Sequence, residues 1–217
     1  GKRSVPIINV CDLPNNITRN KYALVRGHEP LREWCEHMAK HNCLTSEESP
    51  HIKRLATLVA TLLNSLDPDC IRGHKFTGDI GNVIVRCTDS TASSRVHRDL
   101  DEMSVRNLTE RGFSLFYNAW VPLTPVTAYP LGLLLPDTVD GTDVASFHPS
   151  MEHDRTSLRA NESHRWVYFD GLKPGDMIVW HSSIVYHTAL NIPSPIDEPR
   201  RSIDLRIFLR KEHSAPG

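Results

Sequence analysis

The chain carries no excess charge of either sign: 25 basic and 26 acidic side chains leave a formal net charge of −1 over 217 residues. That balance supplies no global field to attract nucleic acid or an anionic lipid surface. There is no apolar run near the roughly 20 residues that a helix needs to span a bilayer, and the basic start GKRSVPIINV lacks the apolar stretch of a signal peptide. Cysteine is scarce and poorly arranged for structural work. Cys11, Cys35, Cys43, Cys70 and Cys87 are odd in number, and none stands in a CxxC pair. This argues against a secreted disulfide framework and against a cysteine zinc site, and it predicts a reducing, cytoplasmic compartment. No nucleic-acid, membrane or protein partner is implied. Internal repeats, low-complexity tracts and obvious linkers are also missing, so residues 1–217 are expected to form one domain.

What is present is an ordinary globular composition, 39% hydrophobic and 24% charged, with a high count of 12 histidines. The first 70 residues read as mainly helical. In EPLREWCEHMAKHN, Leu31, Trp34, Cys35 and Met38 recur at helical period. In SPHIKRLATLVATLLNSLDPD, Ser49 is a plausible N-cap, Pro50 takes the first helical position, and the apolar stripe stops before Pro68. From about residue 75 to 210 the texture changes to short β-branched and aromatic runs: GNVIVRCT, FSLFYNAWVPL, RWVYFDG, DMIVWHSSIVYHTAL and SIDLRIFL. Turn signals rather than helices separate them, which predicts an antiparallel barrel or sandwich.

Within this region SSRVHRDLDEM places His97 and Asp99 two residues apart, on one side of an extended chain. An imidazole and a carboxylate from one segment, joined by a second imidazole from elsewhere, form a facial triad that leaves three positions open on non-haem iron(II). Asp101 shares that side and is a competing carboxylate, roughly 7 Å further along the strand. The second imidazole has two candidates, His181 and His187 in MIVWHSSIVYHTALN. They are six residues apart, so an extended strand would present both on the same face. Downstream, PRRSIDLRIF puts Arg200, Ser202, Asp204 and Arg206 on one face and Arg201, Ile203, Leu205 and Ile207 on the other. An arginine with a serine two residues on can clamp a carboxylate, as the far end of a metal-chelating 2-oxoglutarate would require.

The ordered set, HxD then His then RxS, resembles the iron(II)/2-oxoglutarate-dependent oxygenases. The segments FYNAWVPLTPVTAYPLGLLLPDTVD, HRWVYFDGLKPGD and YHTAL…PRRSIDLRIF are similar to a hydroxylase/desaturase-type branch from microbial, largely fungal, secondary metabolism. The similarity spans about residues 80–210. Tyr186 stands where that branch has proline before the histidine, and the first 70 residues match no family pattern. The resemblance implies His97, Asp99 and His187 as iron ligands, with Arg200 and Ser202 as the 2-oxoglutarate anchor. It further implies a double-stranded β-helix (jelly roll) with buttressing helices, and Fe(II), 2-oxoglutarate and O2 as cofactors with ascorbate as a candidate reductant. The expected reaction hydroxylates, desaturates or cyclises a small secondary-metabolite intermediate while 2-oxoglutarate is decarboxylated to succinate. With Asp99 present, the chloride-for-carboxylate exchange of related halogenases is not expected.

Other residues carry weaker expectations. The His-Thr-Ala pattern surrounds His187, which makes His181 a pocket or core residue. Arg206 is an alternative anchor, or a contact for a substrate carboxylate. Asn118 and Trp120 share a face and line the cavity unless they serve packing and backbone bonding instead. His164 and Arg165 are expected near the pocket mouth. Glu33, His37 and His41 stand at helical spacing, better read as a solvated stripe than a zinc face. His148, His153 and Asp154 fall in a long polar loop that could close as a lid. Two rival functions remain: a jelly-roll small-acid binding protein without catalysis, and a cupin-like metalloenzyme that needs no oxo acid.

Overall fold

A computed structural model describes residues 7–9, 17–41, 49–88, 95–144, 157–192 and 200–212 of the chain. The N-terminal part folds as β1 (Ile7–Asn9), α1 (Ile17–Asn20), β2 (Tyr22–Val25), α2 (Glu29–His41), α3 (Pro50–Leu66) and α4 (Pro68–Ile71). Then follow β3 (His74–Thr88), α5 (Glu102–Glu110), β4 (Phe113–Pro122), β5 (Leu131–Leu134), β6 (Trp166–Tyr168), β7 (Met177–His181), β8 (His187–Ala189) and β9 (Arg200–Lys211). The strands form two sheets, a four-stranded one in the order β1-β6-β5-β8 and a five-stranded one in the order β2-β7-β4-β9-β3. Every pairing is antiparallel except that of β1 with β6.

Strand alternation decides what each face of the larger sheet meets. On β9, Ile203, Leu205, Ile207 and Leu209 point to one side, with Tyr117, Ala119 and Val121 of β4 and Met177 and Val179 of β7. This side is covered by Leu31, Trp34 and Met38 of α2 and by Ile52, Leu55, Val59 and Leu63 of α3. These are the residues whose helical period is visible in the sequence, and burying each large aliphatic side chain contributes about 1.5–3 kcal/mol. The opposite side of the sheet turns Trp120, Ile178 and Trp180 toward Leu131, Leu133 and Val167 of the smaller sheet. The result is a jelly roll with helices on one outer face, as the family resemblance implies. Gly81 on β3 permits a close approach: a Cβ there would collide with the ring of Phe208.

The first 70 residues are mainly helical, as expected, and β1 and β2 each add an edge strand to one sheet. One expectation is corrected. The stretch from Met177 to Asn191 is two strands in opposite sheets rather than one. A turn after His181, in which Ile184 and Val185 donate their N–H groups to the His181 carbonyl at 3.2 and 3.1 Å, carries the chain across. No described helix is long and apolar enough to cross a membrane.

Candidate metal centre

His97 and His187 exchange both backbone hydrogen bonds, His187 N–H to His97 O at 2.8 Å and His97 N–H to His187 O at 3.2 Å. That isolated bridge between the Arg95–Leu100 segment and β8 sets the two imidazole centroids 4.4 Å apart. Asp99 is delivered to the same point, not by a regular strand as predicted but by an irregular segment. Its Oδ1 lies 3.8 Å from His97 Nε2 and its Oδ2 lies 3.6 Å from His187 Nε2. One ligand atom from each of the three residues falls within 4.8 Å of the others, and they are the only such group among the described residues.

The donor set suits a divalent metal. His97 uses Nδ1 on the Arg95 carbonyl at 3.1 Å, which fixes the tautomer that leaves Nε2 as a lone pair. Burial pulls His187 down to about 4, against the opposing pull of Asp99, so its ring is neutral and able to ligate near pH 7. Burial alone would push Asp99 up, yet His187, Arg206, His97 and Asn118 together hold its carboxyl below the usual range. Two imidazoles and one carboxylate would hold a metal from one side and leave its other positions to small molecules.

Asp99 is also gripped by groups that were not assigned to it from the sequence. Arg206 Nη2 lies 2.5 Å from Oδ1, and Asn118 Nδ2 donates to Oδ2 at 2.5 Å. The Asn118 carbonyl oxygen in turn accepts from the Ser182 hydroxyl. A carboxylate cannot donate, so this chain runs in one direction only: Ser182 to Asn118 to Asp99. Ser182 has no sequence signature, because its role depends on the turn that ends β7.

Further along the inner face of β9, Arg200 and Ser202 are 3% and 0% exposed. Arg200 lies over the Trp120 ring at 5.1 Å and donates to the Tyr129 carbonyl. The Ser202 hydroxyl has no hydrogen-bond partner among the described residues, an orphan of the kind that a ligand oxygen would satisfy. Burial lowers the Arg200 guanidinium to about 10, which leaves it charged. Between Arg200 and Arg206 stands Asp204, bound to Arg86 Nε of β3 at 2.6 Å. Burial raises its carboxyl above the usual range while Arg86 opposes that rise.

Several sequence candidates lie elsewhere. His181 faces the helices, its ring 4.5 Å from Tyr117 and its Nε2 3.6 Å from the Asp67 carboxylate at the end of α3. Asp101 does not compete for the metal, because it caps α5 by accepting from Ser104 N–H at 2.7 Å. His164 is 3% exposed and bound to Asp143 at 3.0 Å, bracing a loop rather than opening the pocket. Arg165 is on the surface near Asp137, at 3.5 Å. On α2, Glu33 and His37 are exposed, and His37 stacks near His51 at 4.8 Å. His148, His153 and Asp154 lie outside the described residues. Trp180, absent from the sequence candidates, sits 4.9 Å from the His187 ring and forms part of the inner wall.

Solved structures share this fold. The iron and alpha-ketoglutarate-dependent endoperoxidase NvfI superposes with a TM-score of 0.70 at 16% identity, over 91% of this chain and 81% of that one. The epimerase SnoN gives 0.52 at 17% identity over 89% and 80%, and the carbocyclase SnoK 0.53 at 12% over 88% and 81%. A curated relative, the alpha-ketoglutarate-dependent dioxygenase phiK from a fungal species, is 28% identical over 108 residues, 42% of this chain. The match covers 39% of that relative's length. Residues 78–209 match the family described as "Oxidoreductase/YMDC permease-like domain", and as this is more than half of the chain, the protein belongs to that family.

Proposed function

We propose that the chain is a single-domain iron(II)/2-oxoglutarate-dependent oxygenase that hydroxylates, desaturates or cyclises a small secondary-metabolite intermediate. The observation that carries this reading is the convergence of His97, Asp99 and His187 within 4.8 Å at the end of an inner face that also bears Arg200 and Ser202. In this reading His97, Asp99 and His187 hold the iron, and Arg200 with Ser202 takes the far carboxylate of 2-oxoglutarate. The bound metal and oxo acid supply the oxidising chemistry, with O2 consumed and succinate and CO2 released. The protein's own part is to fix Asp99 through Asn118 and Arg206, to keep the His187 imidazole neutral, and to back the metal centre with Trp120, Trp180 and Leu133 so that water is excluded. The relatives named as a dioxygenase, an endoperoxidase, an epimerase and a carbocyclase support the cofactor set and leave the outcome to substrate placement.

The test is anaerobic loading with Fe(II), calorimetric titration of 2-oxoglutarate, and succinate measured after admitting oxygen. Iron-dependent binding of 2-oxoglutarate, with slow succinate release even without substrate, is expected. Binding of 2-oxoglutarate that is indifferent to iron, or to Arg200→Met, would sink the reading.

A further inference from the structure

Among the described residues, the inner face of the jelly roll holds more positive charge than the proposed cofactors use. A divalent cation, the Asp99 carboxylate, a doubly charged 2-oxoglutarate and Arg200 sum to zero. Arg86 and Asp204 form a second neutral set, joined at 2.6 Å. Arg206 is left over. It touches Asp99 at 2.5 Å, but the single charge of that carboxylate is already counted against the cation. The Arg206 side chain is only 17% exposed, and its Nε has no hydrogen-bond partner among the described residues. A guanidinium held in this way shares its one partner carboxylate with the cation, and a ligand anion at that place gives it a counter-charge of its own.

Position agrees with charge. Arg206 projects from β9 on the same face as Arg200, Ser202 and Asp204, and its cross-strand partner on β4 is Asn118, which also contacts Asp99. An anionic oxygen on Arg206 would therefore stand next to the metal ligands. It would also be separated along β9 from the Arg200 anchor by the Asp204–Arg86 pair. The residues next to Asn118 and Arg206 on this face, Phe116 and Phe208, are aromatic and buried.

Resting on the oxygenase reading above, we propose that Arg206 is the substrate-anchoring residue and that the substrate is an acid: an apolar or aromatic small molecule bearing a carboxylate that Arg206 receives. The fork of two N–H donors suits a carboxylate, and a charged hydrogen bond of this kind contributes about 1.5–3 kcal/mol, enough to discriminate an acid from its neutral amide by roughly tenfold or more.

The experiment uses the full chain loaded with Fe(II) and saturating 2-oxoglutarate under anaerobic conditions. The probes are 3-phenylpropanoate and its isosteric amide, 3-phenylpropanamide, titrated by calorimetry. In the wild type the acid is expected to bind about tenfold tighter than the amide without displacing 2-oxoglutarate. Arg206→Met should bring the two probes within about twofold of each other, and Arg206→Lys should restore part of the preference. Equal affinity of acid and amide for the wild type would overturn the proposal. So would a preference that survives in Arg206→Met, since the acid would then be held by the metal or by Arg200. Failure of iron or 2-oxoglutarate to bind in the first place would reject the oxygenase reading itself, and this inference with it.

Discussion

His187 and His181 have closely similar immediate surroundings. Each is buried, each places Nε2 at 3.6 Å from an aspartate carboxylate, and burial pulls each imidazole down to about 4. The difference lies in what completes the cluster. Beside His187 stands a second imidazole, His97, and the three donors converge within 4.8 Å on the inner side of the sheet. Beside His181 stands the Tyr117 phenol, with the helical core behind it. A neutral buried histidine next to a carboxylate is therefore not a metal site by itself; the third donor makes the distinction. The sharpest way to break this comparison is to remove one imidazole at a time. His187→Ala or Asp99→Ala is expected to weaken divalent-metal binding by more than roughly 100-fold, while His181→Gln should retain one ion per chain. Titration with Co(II), followed by its visible absorption, would show it. Metal loss in the His181 variant with retention in His187→Ala would reverse the assignment.

The sequence made half of this comparison legible. Alternation along β9 correctly separated Arg200, Ser202, Asp204 and Arg206 from Ile203, Leu205 and Ile207, because a strand with one face buried under helices has a strict period. Helical spacing likewise identified the residues of α2 and α3 that cover the sheet. What parity could not reveal was the break between His181 and His187. HSSIVYH has no glycine, proline, asparagine or aspartate to announce a turn. The turn is held by tertiary bonds instead: Ser182 N–H to the Phe116 carbonyl at 3.0 Å and the Ser182 hydroxyl to Asn118. For the same reason the contacts of Asn118 and Arg206 with Asp99, and of Tyr117 and His181 with Asp67, were invisible, since the fold joins each pair across 19 or more residues of chain.

Acid titration sharpens the comparison next. The folded chain holds His181 at about 4, below its ordinary value of 6.5. Between those values the unfolded chain binds a proton that the folded chain refuses, so stability is complete above pH 6.5 and falls as pH drops toward 4. Burial is the main cause; Lys21 acts in the same direction and Asp67 against it. The contribution is roughly 3 kcal/mol at most. His187 adds a dependence of the same sign, so the useful quantity is the difference between wild type and His181→Gln in urea unfolding at several pH values. A variant whose stability falls with pH as steeply as the wild type's would remove His181 from this account.

Each aspartate also receives one donor from adjacent residues of β4 that point to opposite faces: Asn118 to Asp99 and Tyr117 to Asp67. On the inner side the donor orients Asp99, a ligand in the proposed metal centre. Asn118→Ala is expected to weaken metal binding by about 10- to 100-fold while the ion is still bound, and Ser182→Ala by less. Because Ser182 acts through Asn118, adding Ser182→Ala to Asn118→Ala should cost little more than the single change, a non-additivity that a double-mutant cycle measures. Full additivity would mean that the two residues do not act in series.

On the outer side the matching donor has only a structural task. Tyr117 is fully buried, and its hydroxyl donates to Asp67 Oδ2 at 3.0 Å, while burial and Asp67 together push the phenol well above its ordinary value. Tyr117→Phe keeps the ring in the core and removes only the hydroxyl. The Asp67 carboxylate then loses a donor while remaining 0% exposed, a loss of about 1–3 kcal/mol in unfolding free energy. Metal affinity should stay within about twofold of the wild type, because the cluster on this face reaches the metal ligands only through the backbone of the sheet. A Tyr117→Phe protein that is as stable as the wild type but poorer at binding metal would show that the two faces are coupled, and the distinction between the two histidines would then be one of degree.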